Sequence, residues 1–573
     1  MLRSLILLSL FGISIFKVVI ASDGWWKNSF IYQIYPSSFM DSDGDGVGDL
    51  SGITNKLEHL QDIGVKIAWL SPIYPSPMND NGYDISNFTD INPLYGSLQD
   101  FQQLIKKAKK LDIKILLDFV PNHTSDEHPW FIKSVEKIEP YDKYYIWMDP
   151  KIINGTRHPP NNWLSAFHGS AWQWNDKRQQ YYYHAYAKSQ PDLNYYSHDV
   201  QYEMENVLKF WLDYGIDGFR IDTIPSLIED PKFRDEPKNP YEINIPEHES
   251  NSLSHIYTYN SNTSYPILEK WRKLIDNYNN NKTEIIFLTE AYFSFEKIDG
   301  LVKYYSHGSH VPMNFYSISF IKNSSTANDY KKLFDKYLTS LSAGYSANWV
   351  ISNHDNPRSA SRFGKNRADQ WLILATVLPG IVIIYQGDEI GMEDRPMTWE
   401  ETKDPAGCNA GPERFNLTSR DPGRTPYQWD NTTSSGFSTN TTTWLPVHSN
   451  YHNLNLAYQK LTPVSYYHVF KKLVELKKHS IIKDGSTDIF VLENNVLGVV
   501  RSFVKKTNKS IALLINLSDV EVTVNATFTM KLQEIMFVHV ASVTSGIETG
   551  QTVFTDRINL PPAASVILTD KNI

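Results

Sequence analysis

The sequence predicts an α/β fold: a (β/α)8 (TIM) barrel with a small domain inserted after the third strand, and a C-terminal antiparallel domain like a β-sandwich. Three observations lead to this prediction. Strand-length apolar runs alternate with amphipathic helical patterns, as in a parallel sheet covered by helices. Between residues 124 and 190 the alternation stops for a stretch too long to be an ordinary loop. Beyond residue 484, short β-rich runs separated by turn residues follow.

Eight runs in the barrel part have the length and composition of buried strands. Helices are predicted between them, and one is opened by Ser97 and Asp100, which form a capping-box pattern. Another ends at Gly215, because glycine adopts the left-handed conformation that stops a helix at least cost. The predicted strands are Phe30–Tyr35, Lys66–Leu70, Ile113–Val120, Gly218–Ile221, Ile285–Thr289, Pro312–Phe315, Trp349–Ser352 and Ile381–Tyr385.

The N-terminus has the pattern of a secretory signal peptide. Arg3 precedes a mostly apolar run that ends at Ala21, a small residue that a signal peptidase accepts. A signal anchor is the alternative, since about 20 apolar residues can span a membrane. We therefore predict a signal peptide at 1–21, a barrel formed by 22–123 and 191–483, an inserted domain at 124–190 and a C-terminal β domain at 484–573. No membrane anchor is expected after cleavage.

The composition favours a secreted, extracellular globular protein. The chain has 573 residues, of which 41% are apolar, and its net charge of -9 argues against nucleic acid or an anionic membrane as the main partner. Cys408 is the only cysteine, so no internal disulfide can form. Many Asn-X-Ser/Thr sequences fit a glycoprotein. They begin at Asn87, Asn154, Asn262, Asn281, Asn323, Asn416, Asn431, Asn440, Asn508, Asn516 and Asn525.

A loop rich in aspartate and glycine follows the first predicted strand. Its carboxylates recur at alternate positions with glycines between them, which suits a loop wrapped around a hard structural cation, Ca2+ or Mg2+. It is not an EF-hand, because Gly52 occupies the position of the bidentate glutamate. An acidic turn without an ion is the alternative. The predicted ligands are the side chains of Asp41, Asp43, Asp45 and Asp49 with the carbonyl of Val47.

The fourth predicted strand ends at a pair of opposite charges. Arg220 lies two residues before Asp222, so strand alternation directs both side chains to the same face. A fixed guanidinium beside a carboxylate lowers the pKa of that carboxylate and keeps it ionised, which suits a nucleophile. A purely structural Arg–Asp pair is the alternative interpretation of this segment alone.

Polar residues also follow three other predicted strands. They are Asn122 and His123 after the third strand, Glu290 after the fifth, and His354 and Asp355 after the seventh. Because the carboxyl ends of barrel strands meet at one face, the acids after the fourth, fifth and seventh strands can converge there. Such convergence favours an active site over three unrelated structural acids.

These segments closely resemble the α-amylase family of glycoside hydrolases (family 13), and within it the α-glucosidases (maltases) of animals. The resemblance extends in order over essentially the whole chain after residue 25. One departure is Phe167-His168-Gly169, where related enzymes usually have two glycines after the aromatic residue. The matching segments are Asp118–His123, Gln190–Asn194, Gly215–Asp222, Glu290, Asn353–Asp355, Tyr385–Gly391 and Ser419–Trp429.

The resemblance implies a role for each matching residue. Asp222 is the expected nucleophile, Glu290 the acid/base and Asp355 the carboxylate that orients the sugar. Relatives selective for α-1,6 links tend to carry valine at the position of Thr223, and those that accept α-1,4 links carry threonine or alanine. The expected substrate-binding residues are Tyr83 and Asp84 behind the terminal glucose, His123 and His354 at its hydroxyls, Arg220 beside the nucleophile, Arg424 near the sugar and Thr223 on the leaving-group side.

The implied activity is that of an exo-acting, retaining α-glucosidase. It would release terminal α-1,4-linked glucose from maltose, sucrose and short α-glucosides, with transglycosylation when a sugar replaces water. No organic cofactor is expected, and the sequence has no glycine-rich phosphate loop. One alternative is a sucrose or trehalose isomerase or a glucosyl transferase of the same family. The other is a non-enzymatic relative, such as the heavy subunit of an amino-acid transporter, which would lack the carboxylates that are present here.

Overall fold

The computed structural model describes residues 24–242, 245–278, 283–503 and 509–570, and these contain the predicted TIM barrel. Its eight strands form one parallel sheet in the order six, five, four, three, two, one, eight, seven. The backbone N–H of Val350 in the seventh strand donates to the carbonyl of Asn314 at 3.3 Å, so the two edge strands meet and the barrel is nearly closed. The strands are Phe30–Ile34, Ile67–Leu70, Lys114–Phe119, Gly218–Ile221, Ile286–Thr289, Val311–Pro312, Asn348–Val350 and Ile381–Tyr385.

Helices cover the outside of the barrel, and the longer ones bury apolar side chains. The predicted capping box is confirmed, because the side chains of Ser97 and Asp100 each accept from the other residue's backbone N–H. Gly215 has a φ of 79° and follows the helix His198–Asp213, as predicted. The longer helices are Leu50–Asp62, Leu98–Lys110, His198–Asp213, Ser264–Tyr278, Ile298–Ser306, Ala327–Ser340, Gln370–Val377 and Tyr466–Lys477. Short ones are Pro129–Val135, Tyr316–Ser319, Ser359–Phe363, Pro405–Ala410, Phe415–Thr418, Leu456–Leu461, Ser480–Asp484 and Ala526–Met530.

A small antiparallel domain is inserted after the third barrel strand, as predicted. Its core is aromatic, with Trp163, Trp172 and Tyr183 buried against one another. The backbone N–H of Leu193 donates to the carbonyl of Asn122 at 2.9 Å, which holds the end of this domain against the carboxyl end of the third strand. Its strands are Trp147–Met148, Gln180–Tyr183 and Trp172–Asn175 in one sheet, with a hairpin of Lys151–Ile153 and Thr156–His158.

The C-terminal part is an antiparallel domain with two buried faces. Along the strand Val496–Ser502, Leu497 and Val499 join the large core cluster that includes the barrel, whereas Val496 and Val500 join a second core. This alternation places the sheet between two apolar layers. The six-stranded sheet contains Ser486–Leu492, Val496–Ser502, Ser510–Asn516, Ser565–Thr569, Ile535–Ala541 and Thr552–Phe554, and Val522–Val524 pairs with Ile558–Leu560.

Nine of the eleven predicted glycosylation sites lie within the described residues. The predicted signal peptide 1–21 and the sequons at Asn281 and Asn508 lie outside the described residues. Asn516 is fully buried, and its amide nitrogen donates to the carbonyls of Val520, Leu560 and Pro561, so this predicted glycosylation site is wrong for the folded chain. The other sequon asparagines are exposed or half-buried. Among the described residues, none of the helices has the length and apolarity needed to cross a membrane.

Candidate active site

Three carboxyl groups at the ends of barrel strands line one cavity of about 640 Å3. Asp222 and Glu290 directly follow the fourth and fifth strands, and Asp355 lies five residues after the seventh strand ends. The barrel therefore brings the three predicted catalytic acids together at one face. The other residues around this cavity are Asp80, Tyr83, His123, Ala166, Phe167, Tyr186, Thr223, Asn251, Tyr259, Tyr292, His354, Asn356 and Arg420.

Arg220 contacts the carboxyl groups of both Asp222 and Glu290. Its Nη1 contacts Asp222 Oδ1, and also Asp118 Oδ1 at 2.8 Å. Its Nη2 lies 2.8 Å from Glu290 Oε2. The Arg220 side chain is only 1% exposed, so these contacts form where water does not screen them. One fixed guanidinium therefore positions both the expected nucleophile and the expected acid/base.

The pKa values of these two carboxyl groups differ in the direction that retaining hydrolysis needs. Burial raises the pKa of Asp222 to about 6, although the Arg220 guanidinium opposes this rise. Burial raises the pKa of Glu290 to about 8, again against the effect of Arg220 and with help from the negative charges of Asp222 and Asp355. Arg220 does lower the pKa of Asp222 as expected, but desolvation is the larger effect. Near neutral pH, Asp222 is therefore ionised while Glu290 keeps its proton.

Asp355 remains ionised for a different reason. Burial alone would raise the pKa of its carboxyl group, but contacts with His354, Arg420 and Arg424 lower that pKa below its ordinary value. Arg420 Nη1 and Arg424 Nη2 lie 3.2 and 3.1 Å from Asp355 Oδ1. Asp355 is thus a fixed negative charge beside the other two carboxyl groups.

Tyr83, His123 and His354 form one wall of the cavity. Tyr83 stacks on the His354 ring with the centroids 5.1 Å apart and an interplanar angle of 3°. Its hydroxyl donates to Asp118 Oδ2 at 3.0 Å. Burial lowers the pKa of His123 to about 4 and that of His354 well below its ordinary value, so both imidazoles are neutral near pH 7. Neutral rings of this kind can form hydrogen bonds with sugar hydroxyls without adding charge.

Three predicted substrate-binding residues do not line the cavity: Arg220, which contacts the carboxyl groups, Asp84 and Arg424. Asp84 is fully buried, and its carboxylate accepts from Ser76 and from the backbone N–H groups of Asn79 and Asp80, so it shapes the loop. The Asp84 carboxylate therefore stabilises the loop, and the prediction that it binds the sugar is wrong. Asp80, from the same motif, lines the cavity instead.

Arg424 does not line the cavity either, and Arg420 lines it instead. It is fully buried, and its Nε donates to the His354 carbonyl at 2.8 Å while Nη2 contacts Asp355. Arg424 therefore supports the site from behind the cavity wall. Arg420, four residues earlier, lines the cavity and forms an ion pair with Asp80 at 2.7 Å.

Aromatic residues that were not predicted also line the cavity. Phe167 and Tyr186 come from the inserted domain and contact each other edge to face. Tyr292 follows Glu290 by two residues, so strand alternation could have indicated it. Tyr259 and Asn251 come from the irregular segment after the fourth strand, where the sequence shows no periodic pattern.

Thr223 lines the cavity beside the nucleophile, where the sequence predicts it. Its φ and ψ are 46° and 28°, a left-handed conformation that threonine rarely adopts. The Thr223 backbone N–H donates to Glu290 Oε2 at 3.0 Å. The threonine hydroxyl is buried without a protein partner.

The aspartate-rich loop gathers three of its four predicted side-chain ligands. One oxygen from each of Asp41, Asp43 and Asp49 lies within 4.8 Å of the others. Asp45 is not in this group, and its carboxylate accepts from the backbone N–H of Val47 at 2.7 Å. A cluster of carboxylate oxygens of this size fits a hard divalent cation such as Ca2+. None of these residues lines the cavity.

Comparison with known proteins agrees with this geometry. The alpha-amylase catalytic domain profile matches residues 33–485. An alpha-glucosidase of Apis mellifera is 45% identical over 495 residues, which cover 86% of each chain. Maltase A1 of Drosophila melanogaster is 44% identical over 88% of this chain and 89% of that protein. A salivary alpha-glucosidase of Anopheles gambiae is 45% identical over 83% of this chain and 82% of that protein.

Solved structures of related enzymes have the same fold. The structure of an α-glucosyl transfer enzyme superposes with a TM-score of 0.83 at 32% identity, and covers 96% of this chain and 100% of its own. A trehalulose synthase variant in complex with Tris gives a TM-score of 0.82 at 29% identity, with 95% and 100% coverage. The chain therefore belongs to the α-amylase family of glycoside hydrolases and is an α-glucosidase of that family.

Proposed function

We propose that this α-glucosidase is exo-acting and retaining, and that it releases single glucose units from maltose, sucrose and short α-glucosides. The observation that carries the proposal is the arrangement of Asp222 and Glu290 on one guanidinium, with pKa values of about 6 and about 8. One group is then an ionised nucleophile and the other a protonated acid at the same pH.

The proximity of the two carboxyl groups supports retention of configuration. Both contact the same Arg220 guanidinium in this structure. Retaining glycosidases hold their two carboxyl groups about 5–5.5 Å apart, whereas inverting enzymes need about 6.5–9.5 Å to admit a water molecule. A spacing near the smaller value in a substrate complex is therefore expected.

The reaction follows from these positions. A carboxylate oxygen of Asp222 attacks the anomeric carbon while Glu290 donates its proton to the departing glycosidic oxygen. The resulting Glu290 carboxylate then removes a proton from water, which attacks the covalent glucosyl–Asp222 intermediate from the opposite face. Two inversions leave the α configuration. Asp355, Tyr83 and the two neutral histidines orient the sugar during both steps.

The side chains at one part of the cavity wall support exo action. Asp80 and Arg420 form an ion pair at the cavity wall, and Tyr83 stacks on His354 beside them. A glucose ring seated over the carboxyl groups would meet these side chains where a longer chain would have to continue. Only a non-reducing end would then fit, so rapid attack inside starch is not expected.

Transglycosylation is a second candidate activity. The structural similarity to an α-glucosyl transfer enzyme and to a trehalulose synthase favours it, because both keep this fold at TM-scores of 0.83 and 0.82. The same glucosyl–Asp222 intermediate would react with a sugar hydroxyl in place of water. The aromatic rings of Phe167, Tyr186 and Tyr292 offer surfaces on which such an acceptor can stack.

Secretion and a structural cation are part of the same proposal. The predicted signal peptide and the sequons at exposed asparagines support an extracellular glycoprotein, and two similar proteins are named salivary alpha-glucosidases. Asp41, Asp43 and Asp49 would hold Ca2+, or Mg2+ in its place, at the start of the helix Leu50–Asp62. A cation there would stabilise the loop after the first strand.

Product analysis tests the proposed specificity. The protein would be incubated separately with maltose, sucrose, isomaltose, trehalose and starch, and the early products followed by NMR to identify the anomer. We expect α-glucose from maltose and sucrose first, slower release from isomaltose, and transfer products at high sugar concentration. The variant Asp222→Asn, folded but inactive, is the control for contaminating activity. Release of β-glucose, or of oligosaccharides from starch, would overturn the proposal.

A further inference from the structure

The backbone of Thr223 has a left-handed conformation that is rare for threonine. With φ 46° and ψ 28° it lies in the left-handed region, where a β-branched side chain is strained. It directly follows Asp222 and precedes the short 3-10 helix Ile224–Ser226. Such strain persists where the surrounding structure enforces it, and it is concentrated at active sites.

The left-handed turn directs the backbone N–H of Thr223 at one oxygen of Glu290. The N–H donates to Oε2 at 3.0 Å, and Arg220 Nη2 approaches the same oxygen to 2.8 Å. A carboxyl oxygen that accepts from two N–H donors has no lone pair left for a proton. The acidic proton of Glu290 therefore belongs on Oε1.

We propose that Thr223 is a positioning residue for proton transfer: its backbone N–H, together with Arg220, holds Glu290 Oε2 and leaves the transferable proton on Oε1. The inference rests on the proposed role of Glu290 as acid/base. In the first step, the proton passes from Oε1 to the glycosidic oxygen as the bond from that oxygen to the anomeric carbon breaks and the bond to Asp222 forms. In the second step, Oε1 takes a proton from the attacking water.

The same N–H stabilises the charge that Glu290 acquires when it loses its proton. A hydrogen bond to a carboxylate is stronger than one to a neutral carboxyl group. The Thr223 N–H accordingly lowers the pKa of Glu290, although burial, the largest effect, raises it. The N–H thus favours the transition state, in which the proton has partly left.

Backbone and side chain of Thr223 can be tested separately. The hydroxyl is buried without a protein partner and the residue lines the cavity, so the side chain is placed to contact substrate. Thr223→Ala removes this hydroxyl and keeps the N–H. Replacing Thr223 with its α-hydroxy acid counterpart by nonsense suppression turns the peptide bond into an ester, which removes the N–H and keeps the side chain.

We expect the ester variant to lose about tenfold or more in kcat/KM for maltose, as for loss of a hydrogen bond to a charged group. The loss on α-glucosyl fluoride should be much smaller, because fluoride departs with little help from a proton donor. The alkaline limb of the maltose pH profile should move to higher pH, since Glu290 would hold its proton more tightly. Thr223→Ala should leave that limb in place.

Equal losses on maltose and α-glucosyl fluoride with an unmoved alkaline limb would indicate a merely structural role and overturn the inference. If the unaltered protein cleaves neither substrate, the proposed function fails instead. Neutron diffraction on the unaltered protein gives an answer that does not depend on folding of a variant. A deuteron on Glu290 Oε1 is expected, and a deuteron on Oε2 would refute the assignment.

Discussion

Asp80 and Arg420 form a largely buried ion pair of 2.7 Å at the cavity wall, although 340 residues separate them in the sequence. Arg420 also contacts Asp355 at 3.2 Å and Asp404 at 2.5 Å. One guanidinium thus contacts three carboxylates, of which Asp80 and Asp355 line the cavity. Its removal would take from Asp80 the ion-pair partner it has here, whereas Asp355 would keep its contact with Arg424.

Replacing Arg420 should therefore impair both stability and activity. Breaking a buried ion pair costs about 3–5 kcal/mol of stability, so Arg420→Ala should lower the melting temperature. We also expect kcat/KM for maltose to fall by about a hundredfold or more, because Arg420 lines the cavity and contacts Asp355. Arg414→Ala is the matched control, because Arg414 pairs with Glu249 at a half-exposed position outside the cavity and should cost little. Unchanged maltose kinetics in Arg420→Ala would contradict this role.

The pH profile of kcat/KM should be bell-shaped with limbs set by the two catalytic carboxyl groups. Activity should rise as pH passes the pKa of Asp222, about 6, because the nucleophile must be ionised. It should fall as pH passes the pKa of Glu290, about 8, because the acid must be protonated. Glu290→Gln has no proton to lose, so its residual activity should lack the alkaline limb. If the alkaline limb persists in Glu290→Gln, that limb reports the titration of a group other than Glu290.

Azide should distinguish the roles of Glu290 and Asp222. In Glu290→Ala, a nitrophenyl α-glucoside can still form the glucosyl–Asp222 intermediate, and azide attacks it without a base. We expect partial rescue and an α-glucosyl azide, because two inversions occur. Asp222→Gly is the control: azide then acts in place of the nucleophile and should give the β-glucosyl azide. NMR identifies the anomer of each product. A β product from Glu290→Ala would indicate that Glu290 is the nucleophile and Asp222 the acid/base.

The cation loop should affect stability more than catalysis. Asp41, Asp43 and Asp49 converge near the helix Leu50–Asp62 and outside the cavity. Removing Ca2+ with a chelator should lower the melting temperature, since a ligand that binds the folded state stabilises it. Asp41→Asn should abolish that effect, and Asp45→Asn, outside the cluster, should change it less. A chelator that stops catalysis at an unchanged melting temperature would contradict the placement.

Local sequence patterns predicted most of the fold and the centre of the site. The capping box at Ser97, the helix stop at Gly215 and the acids at the strand ends all depend on residues close in sequence. The sequence did not predict that Asp80 and Arg420 line the cavity, because this depends on which side of a loop faces the cavity. Asp84 and Arg424 lie in the same motifs, yet packing turns them inward, where each meets its own partners.

The identity of the side chain at position 223 should control linkage preference. Thr223 lines the cavity and its hydroxyl is buried without a protein partner, so a rotation of the side chain would bring the hydroxyl to a sugar on the leaving-group side. A methyl group in its place loses that bond and crowds the same space. A contact of this size is worth about 1–3 kcal/mol, enough for a tenfold or larger preference but not for absolute selectivity.

We therefore expect the unaltered protein to cleave maltose and sucrose faster than isomaltose, and Thr223→Val to narrow the maltose-to-isomaltose ratio of kcat/KM. Valine has the shape of threonine and keeps the backbone N–H, so the left-handed turn and its bond to Glu290 are matched between the two proteins. Thr223→Ser keeps a hydroxyl and should retain most of the ratio. Faster cleavage of isomaltose by the unaltered protein, or an unchanged ratio in Thr223→Val, would show that the linkage is read elsewhere in the cavity.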